Sequence, residues 1–286
     1  MTAAIRSPRL RRPAADAAFE DPLKLFDAIR AKRSDAVQPV SAPGAAELPS
    51  SHGVRFDAVA LSRDGRRVFD DLSLDLTQRR IGLVGDNGSG KSTLLRLANG
   101  LLRADAGDVV ANGRRLQGRA LADGVGFVFQ NPDHQIIFPT VGEEIAFGLT
   151  ERGASAADAR RAVDDLLMQH GCAGWAERAI HELSEGQKQL VCILAVIAPA
   201  PAILLLDEPF SSLDLPTRLS LSARLAQLPQ QIVMASHDLD LLQNFDRVIW
   251  LDRGTVRADN APAEVLPLYR AHAAARGAAL LTSGAA

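Results

Sequence analysis

The sequence has few cysteines, few aromatic residues and no apolar run long enough to span a membrane. Its two cysteines, Cys172 and Cys192, form neither a C-x-x-C pair nor a metal-ligand spacing, which favours a reducing compartment and argues against structural disulfides. We expect both to be small buried residues. The longest apolar run, residues 191–206, is broken by Pro199 and Pro201, so we expect a chain that does not cross a bilayer.

An excess of charge of either sign is also missing. The chain has 32 Lys and Arg against 34 Asp and Glu, a formal net charge of −2. Proteins that bind nucleic acid carry a basic excess or a basic face, so this balance argues against a nucleic-acid partner. With 286 residues, 47% of them hydrophobic, the chain can bury one large core or two modest ones.

The two ends of the chain differ in composition from its middle. Residues 1–50 are rich in Ala, Pro and Arg and poor in aromatics, which predicts a mostly disordered extension. Within this extension, the apolar residues at 21–29 have helical spacing and predict a short helix that is either frayed or docked. The basic cluster at residues 6–12 is not followed by the apolar run of a secretion signal. The main domain is predicted over residues 51–262, followed by a C-terminal helix or tail over 263–286 whose end frays.

A strand, a glycine-rich loop and a helix follow one another at residues 81–97. Residues 85–92 fit G-x-x-x-x-G-K-S, with apolar residues before them and helical periodicity after them. A plain glycine-rich turn is the alternative, but this context favours a loop whose N–H groups converge on an anion at a helix N-terminus. We expect this loop to hold the phosphates of a nucleotide, with Mg²⁺ on Ser92. The residues expected to do so are Gly85, Asp86, Asn87, Gly88, Ser89, Gly90, Lys91, Ser92 and Thr93.

Apolar strands alternate with helices along the rest of the main domain. Strands are predicted at residues 54–61, 68–76, 81–84, 109–110, 125–129, 202–206 and 231–235, with a hairpin at 248–257. Helices are predicted at residues 155–169, 188–197 and about 215–228, and a helical insert spans about residues 140–180. This alternation predicts a mainly parallel sheet, with the first two strands as an antiparallel flap and the strands at 109–110 and 125–129 extending the sheet.

Polar residues follow the ends of several predicted strands. Ligands bind at the carboxyl ends of parallel strands, and the phosphate loop, Gln130, Asp207 and His237 each follow such an end. We expect Asp207 to hold Mg²⁺ directly or through water, and Glu208 to polarise an attacking water. An ion pair or a helix cap is the alternative for this Asp-Glu pair, but a metal relieves the cost of burying carboxylates beside a phosphate loop.

Six motifs in this order resemble the nucleotide-binding subunit of ATP-binding cassette (ABC) transporters: the phosphate loop, Gln130, LSEGQ at residues 183–187, Asp207-Glu208, SSLD at residues 211–214, and His237. The resemblance covers residues 54–257. It implies an α/β P-loop NTPase with a mainly parallel core sheet, an antiparallel β flap and a helical subdomain at about residues 131–182. It also implies a homodimer in which each ATP, with Mg²⁺, lies between the phosphate loop of one chain and residues 184–187 of the other.

The resemblance further implies a role for each motif residue. Glu208 is the catalytic base, His237 positions water and the γ-phosphate, and Gln130 senses Mg²⁺ and the membrane partner. The metal residues are Ser92, Gln130 and Asp207, and the nucleotide contacts from the second chain are Ser184, Gly186, Gln187 and Asp214.

Two positions depart from the family pattern. Glu185 stands where the family has glycine, which adds negative charge near phosphate unless the side chain points away. Arg63 stands near the position of an adenine-stacking aromatic residue, where its guanidinium plane can stack, and Phe69 or Val68 are the alternatives.

Residues 129–149, FQNPDHQIIFPTVGEEIAFGL, narrow the resemblance to the ATPases of energy-coupling-factor importers. In these, the equivalents of residues 130–138, with Gln135, border the groove that receives an integral membrane coupling subunit, which works with a substrate-binding membrane subunit. Residues 179–197 are more similar to the biotin branch than to the cobalt or nickel branch. The resemblance thus implies an ATPase on the cytoplasmic face of the membrane. The alternatives are a soluble ABC ATPase acting on nucleic acid or ribosomes, and a regulator that binds ATP without hydrolysing it.

Overall fold

The structure is a computed structural model that describes residues 53–116 and 124–283, with side chains as far as residue 279. The predicted N-terminal extension, with its short helix and basic cluster, lies outside the described residues. Ten β-strands are described: β1 (Val54–Arg63), β2 (Arg66–Leu76), β3 (Arg80–Val84), β4 (Ala106–Ala111), β5 (Arg114–Arg115), β6 (Val125–Val128), β7 (Ile203–Asp207), β8 (Gln231–Ala235), β9 (Arg247–Asp252) and β10 (Thr255–Asn260). Six α-helices are described: α1 (Lys91–Asn99), α2 (Val141–Thr150), α3 (Ala156–Gln169), α4 (Glu185–Ile197), α5 (Leu215–Gln227) and α6 (Pro262–Ser283).

The core sheet has the strand order β10-β9-β3-β8-β7-β6. All of its neighbouring pairs are parallel except β9 with β10, which form the predicted hairpin. The mainly parallel α/β core is therefore confirmed. Because β3 lies in the middle of this sheet, the segment that follows it emerges beside the carboxyl ends of β7 and β8.

A second, antiparallel sheet has the order β2-β1-β4-β5 and forms the flap. One detail of the prediction is corrected here. The strands predicted at residues 109–110 and 125–129 do not extend one sheet, because β4 pairs with β1 in the flap while β6 pairs with β7 in the core sheet. A short apolar strand does not reveal which sheet it joins, since its partner lies far away in the sequence.

The two sheets share one hydrophobic core with α1. Leu94, Leu95 and Leu97 of α1 are all fully buried, although a helix on the surface would bury one face only. They pack in a cluster with Phe56 and Phe69 of the flap and with core-sheet residues such as Leu205 and Val233. The start of α1 is therefore held from both sides.

Tight two-residue turns join several strands. In each of three turns both residues have positive φ, from 49° to 79°, as a type I′ hairpin turn requires. The three turns are Asp64-Gly65, Asn112-Gly113 and Arg253-Gly254. Asp, Asn and Gly adopt this conformation readily, and Arg253 is the exception among the six residues.

The middle of the chain is helical, as predicted. Helix α2 packs against both α3 and α4. Ser155 caps α3, with its hydroxyl accepting from the N–H of Asp158 at 3.2 Å and donating to the Asp158 carboxylate at 2.7 Å. The predicted helix over residues 155–169 therefore begins with Ser155 as its cap. No helix in the described part of the chain is both long enough and apolar enough to span a membrane.

Candidate nucleotide-binding site

The phosphate loop, residues 85–92, connects β3 to α1 through glycines in left-handed conformations. Gly85, Gly88 and Gly90 have φ values of 148°, 78° and 110°. A Cβ atom on Gly85 would lie 2.2 Å from the carbonyl oxygen of Leu251, so no other residue fits there. Gly90 is the N-cap of α1 and provides no side-chain cap, which leaves the N–H groups of the first turn for an anion.

Lys91 is buried beneath this loop with a relative exposure of 5%. Its ammonium group donates to the carbonyl oxygens of Gly85 at 2.7 Å and of Asp86 at 3.2 Å, and a third N–H remains for a ligand. Burial lowers the pKa of Lys91, while nearby carboxylates, led by Glu208 and Asp207, favour its charged form. The loop thus contains one cation surrounded by N–H and C=O dipoles.

Ser92 and Asp207 meet at the ends of the loop and of β7. The Ser92 hydroxyl donates to the Asp207 carboxylate at 2.8 Å, and Asp207 is 4% exposed. The one cation paired with Asp207 among the described residues is Arg96, at 4.0 Å. A buried carboxylate beside a hydroxyl offers the hard oxygen ligands that Mg²⁺ prefers, so these two residues fit the predicted metal.

Glu208 and His237 lie next to each other above this pair. The Nε2 atom of His237 is 3.0 Å from the Glu208 carboxylate and 3.1 Å from the amide oxygen of Asn87 in the phosphate loop. Glu208 has a φ of 49°, which is uncommon for a residue with a side chain and costs roughly 1–2 kcal/mol. The histidine therefore connects the ends of β7 and β8 to the loop after β3.

A cavity of about 980 Å³ lies over the phosphate loop. It brings together most of the predicted residues from four strand ends of the core sheet, because it is lined by residues 87–93 after β3, Gln130 after β6, Glu208 after β7 and His237 after β8. Arg63 of the flap also lines it. It also contains residues that the prediction missed, namely Arg66, Arg67 and Arg253. Arg253 reaches the loop through the β9–β10 turn, where the Gly254 N–H donates to the Ser89 carbonyl at 3.0 Å. No sequence pattern near Arg253 indicates this contact.

Seven predicted residues do not line this cavity. Gly85, Asp86 and Asp207 still belong to the same half of the site, because Lys91 and Ser92 donate hydrogen bonds to them. The other four come from different elements: Ser184, Gly186, Gln187 and Asp214. Ser184 is the N-cap of α4, and its N–H donates to the side chain of Gln187 at 3.1 Å. Asp214 is the N-cap of α5 and accepts from the N–H of Thr217 at 3.0 Å, and hydrogen bonds from Thr217 lower the pKa of Asp214. Within one chain, Ser184 and Asp214 therefore cap helices, and neither lines the cavity over the phosphate loop.

Comparison with known proteins identifies the family of this chain. A family model described as "ABC transporter" matches residues 69–211. The chain belongs to this family. The protein named "Biotin transport ATP-binding protein BioM" of Rhodobacter capsulatus is 52% identical over 213 residues, which are 74% of this chain and 91% of that protein. "Energy-coupling factor transporter ATP-binding protein EcfA1" of Leuconostoc mesenteroides is 36% identical over 228 residues, 76% of this chain and 84% of that protein.

Two solved structures share the fold. The cbiO1 protein from Clostridium perfringens, described as part of the ABC transporter complex cbiONQ, has a TM-score of 0.67 at 27% identity over 76% of this chain and 91% of its own. The ATP-binding cassette MJ0796, in a dimeric post-hydrolysis state bound to ADP and Pi, has a TM-score of 0.64 at 25% identity over 73% of this chain and 98% of its own. The chain is thus an ABC ATPase of the energy-coupling-factor type.

The unusual Glu185 of this ABC ATPase has a partner within its own helix. The ammonium group of Lys188 lies 3.2 Å from the Glu185 carboxylate and 2.9 Å from that of Asp133. The hydrogen bonds that Lys188 donates, first the one to Asp133 and then the one to Glu185, raise the pKa of Lys188. The charge that Glu185 adds to the signature segment, residues 183–187, is therefore partly balanced, because Lys188 is shared between two carboxylates. Sequence reasoning missed Lys188, although a cation at i+3 from an acid on a helix was a usable signal.

The segment after Gln130 is also fastened to α4. The side chain of Gln135 accepts from the Phe129 N–H at 3.2 Å and donates to the Cys192 carbonyl at 3.0 Å. Gln130 itself donates to the Ser211 hydroxyl at 3.3 Å. In this ABC ATPase, residues 130–138 thus connect the nucleotide cavity to the helix that carries the signature segment.

Proposed function

We propose that this ABC ATPase powers the import of biotin, working as a homodimer on the cytoplasmic face of the membrane with an integral membrane coupling subunit and a substrate-binding membrane subunit. The 52% identity to a protein named for biotin transport supports this substrate. The cavity over the phosphate loop is lined mostly by polar and charged residues, with Val68 as an apolar one, and this lining suits a nucleotide. The chain therefore contributes the motor, and its partners recognise the solute.

The main support for a homodimer is that the predicted site residues of one chain fall into two separate groups. The phosphate loop, Asp207, Glu208 and His237 form one half, and Ser184, Gly186, Gln187 and Asp214 lie outside its cavity. One chain contains both halves, so a second copy supplies what the first lacks at each of two sites. ATP then lies between the phosphate loop of one copy and the signature segment of the other. The dimeric state described for MJ0796 with ADP and Pi supports this arrangement.

The chemistry follows from the groups around the cavity. Glu208 takes the proton of the attacking water, and His237, 3.0 Å from its carboxylate, orients that carboxylate and the water. Lys91 and the free N–H groups of the loop and of α1 stabilise the negative charge on the transferred phosphoryl group. Ser92 and Asp207, with Gln130 nearby, would hold Mg²⁺, which would supply charge neutralisation on the phosphates when bound. Arg63 stacks on the adenine.

The coupling partner docks at the helical subdomain. Ile137 is 72% exposed and Phe147 is 41% exposed, although both are large and apolar. The Phe147 ring lies 5.2 Å from that of Phe138. The buried Glu144 carboxylate fixes the chain here by accepting from the N–H groups of Ile137 and Phe138, each at 2.9 Å. A structured apolar surface next to residues 130–138 suits the coupling helices of a membrane subunit.

The variant Glu208→Gln tests the motor. It keeps the shape and hydrogen bonding of the side chain but removes the base, so we expect ATP binding to persist, ATP turnover to fall by about 10²-fold or more, and an ATP-bound dimer to accumulate. Phosphate release and size-exclusion chromatography with ATP measure these effects. Unchanged hydrolysis would remove Glu208 from its role.

Uptake assays test the substrate. Cells that express the chain with its co-purifying membrane subunits are expected to take up labelled biotin, and cells with Glu208→Gln serve as the matched control. Uptake of Co²⁺ or Ni²⁺ in place of biotin would reassign the substrate, and stimulation of hydrolysis by RNA or DNA without any membrane partner would contradict the importer.

A further inference from the structure

Three residues of the C-terminal helix α6 converge on one carboxylate of the phosphate loop. The Tyr269 hydroxyl donates to Asp86 at 3.5 Å, the Nε2 atom of His272 lies 3.6 Å from Asp86, and the guanidinium of Arg276 forms an ion pair with the same carboxylate. The contacts come from one face of α6, at positions i, i+3 and i+7. This helix lies outside residues 69–211, which the family model matches.

Aromatic packing against β9 fixes the position of α6 beside the phosphate loop. Trp250 of β9 packs edge-on against Tyr269, with ring centroids 5.6 Å apart, and against the His272 ring at 5.0 Å. Trp250 and Tyr269 are both buried. The next residue of β9, Leu251, carries the carbonyl against which Gly85 packs. The helix is thus attached to the strand that also supports the phosphate loop.

The negative charge of Asp86 lies where ATP phosphates are expected, so a neighbouring cation is needed to neutralise it. Its own carbonyl accepts from Lys91, so the carboxylate belongs to a residue that touches the phosphate-binding lysine. A negative charge at this place repels a triphosphate unless a cation balances it. Burial, with the Asp86 carboxylate second, raises the pKa of Tyr269, which keeps the phenol a neutral hydrogen-bond donor. Within the described residues, Arg276 is the permanently charged partner of Asp86.

We propose that α6 is a strut for the phosphate loop and that Arg276 is a positioning residue for ATP. Through Asp86, Arg276 balances the one acidic side chain of the loop and holds the loop in its nucleotide-receiving shape. This inference rests on the proposed function, since it assigns a C-terminal element to the affinity of the same ATP site.

The test compares Arg276→Met with the wild type in the full-length protein. Because the pair is partly exposed, with Arg276 55% and Asp86 26% exposed, we expect the Kd and the KM for ATP to rise about 2- to 5-fold while kcat stays within about 2-fold. Arg276→Lys keeps the charge and is expected to recover at least half of the lost affinity. The difference between wild type and Arg276→Met is expected to shrink in about 1 M salt, where the Debye length falls to about 3 Å.

Two further variants separate this role from general damage to the helix. Arg270→Met removes an ion pair of the same helix with Asp240, outside the phosphate loop, and is expected to leave the KM unchanged. In an Asp86→Asn background, Arg276→Met is expected to have no further effect. Equal losses in that background, an equal loss from Arg270→Met, or wild-type affinity in Arg276→Met would overturn the inference. Absence of ATP hydrolysis by the wild type would instead refute the proposed function.

Discussion

Gly186 of the signature segment packs against α5 in its own chain, and this contact gives a sharp prediction. A Cβ atom on Gly186 would lie 2.4 Å from the Cγ2 methyl of Thr217, and 3.4 Å and 3.5 Å from its Cβ and Oγ1 atoms. One methyl group therefore accounts for the clash. The perturbation is Gly186→Ala, and the matched compensating change is Thr217→Ser, which removes this methyl and keeps the hydroxyl.

The expected magnitude follows from opposing contributions. Overpacking costs roughly 1–3 kcal/mol, because the short β-branched threonine cannot swing aside. Alanine in a helix recovers about 0.5–1 kcal/mol relative to glycine, and Gly186 lies in the first turn of α4. We expect Gly186→Ala to lower the free energy of unfolding by about 1–2 kcal/mol. Thr217→Ser is expected to restore most of this loss in the double variant, while costing the wild type about 0.5–1 kcal/mol.

Urea unfolding of the four proteins measures the coupling between the two positions. ATP hydrolysis by the same proteins separates packing from function. If the Gly186 backbone contacts ATP across the dimer, the double variant regains stability but not activity, because alanine still stands in the signature segment. Additive stability changes, with no coupling between the two positions, would refute the steric reasoning.

Two further predictions concern Lys188 and the two buried cysteines. Lys188→Met removes the cation that faces Glu185 and Asp133. We expect the free energy of unfolding to change by less than about 1 kcal/mol and the KM for ATP to rise. Glu185→Gln in the same chain is expected to reverse the rise in KM. An unchanged KM would show that Glu185 points away from the nucleotide. Burial raises the pKa of both thiols, so at pH 8 the thiolate fraction of Cys172 and Cys192 is lower than that of a free cysteine. We expect a thiol reagent to modify them only after unfolding; rapid labelling of the native protein would contradict this.

Much of the local structure was predictable because short-range chemistry determines it. The hairpin predicted at residues 248–257 forms as β9 and β10, and Gly254 in its turn has a φ of 79°, which glycine adopts readily. Ser155 caps α3 because its hydroxyl reaches the N–H three residues on. The phosphate loop followed from its glycines and its position between a strand and a helix. The C-terminal helix, predicted from residue 263, begins at Pro262.

The limits of prediction appear where residues distant in sequence meet. The separation of β4 and β6 into different sheets depends on pairing with β1 and β7, and nothing within these short strands specifies a partner. Likewise, Lys188 was missed as the partner of Asp133, 55 residues earlier.

The sequence by itself determined the order of the motifs, the parallel core and the loop that suits phosphate, because each depends on neighbouring residues and on apolar periodicity. Only the tertiary structure decided which charges balance one another. The ion pair of Arg276 with Asp86, 190 positions apart, exists because β9 runs beside β3 and its Trp250 packs against Tyr269 and His272 of α6. Charge partners of this kind are chosen by the packing of the strands that bear them, and no local pattern encodes that packing.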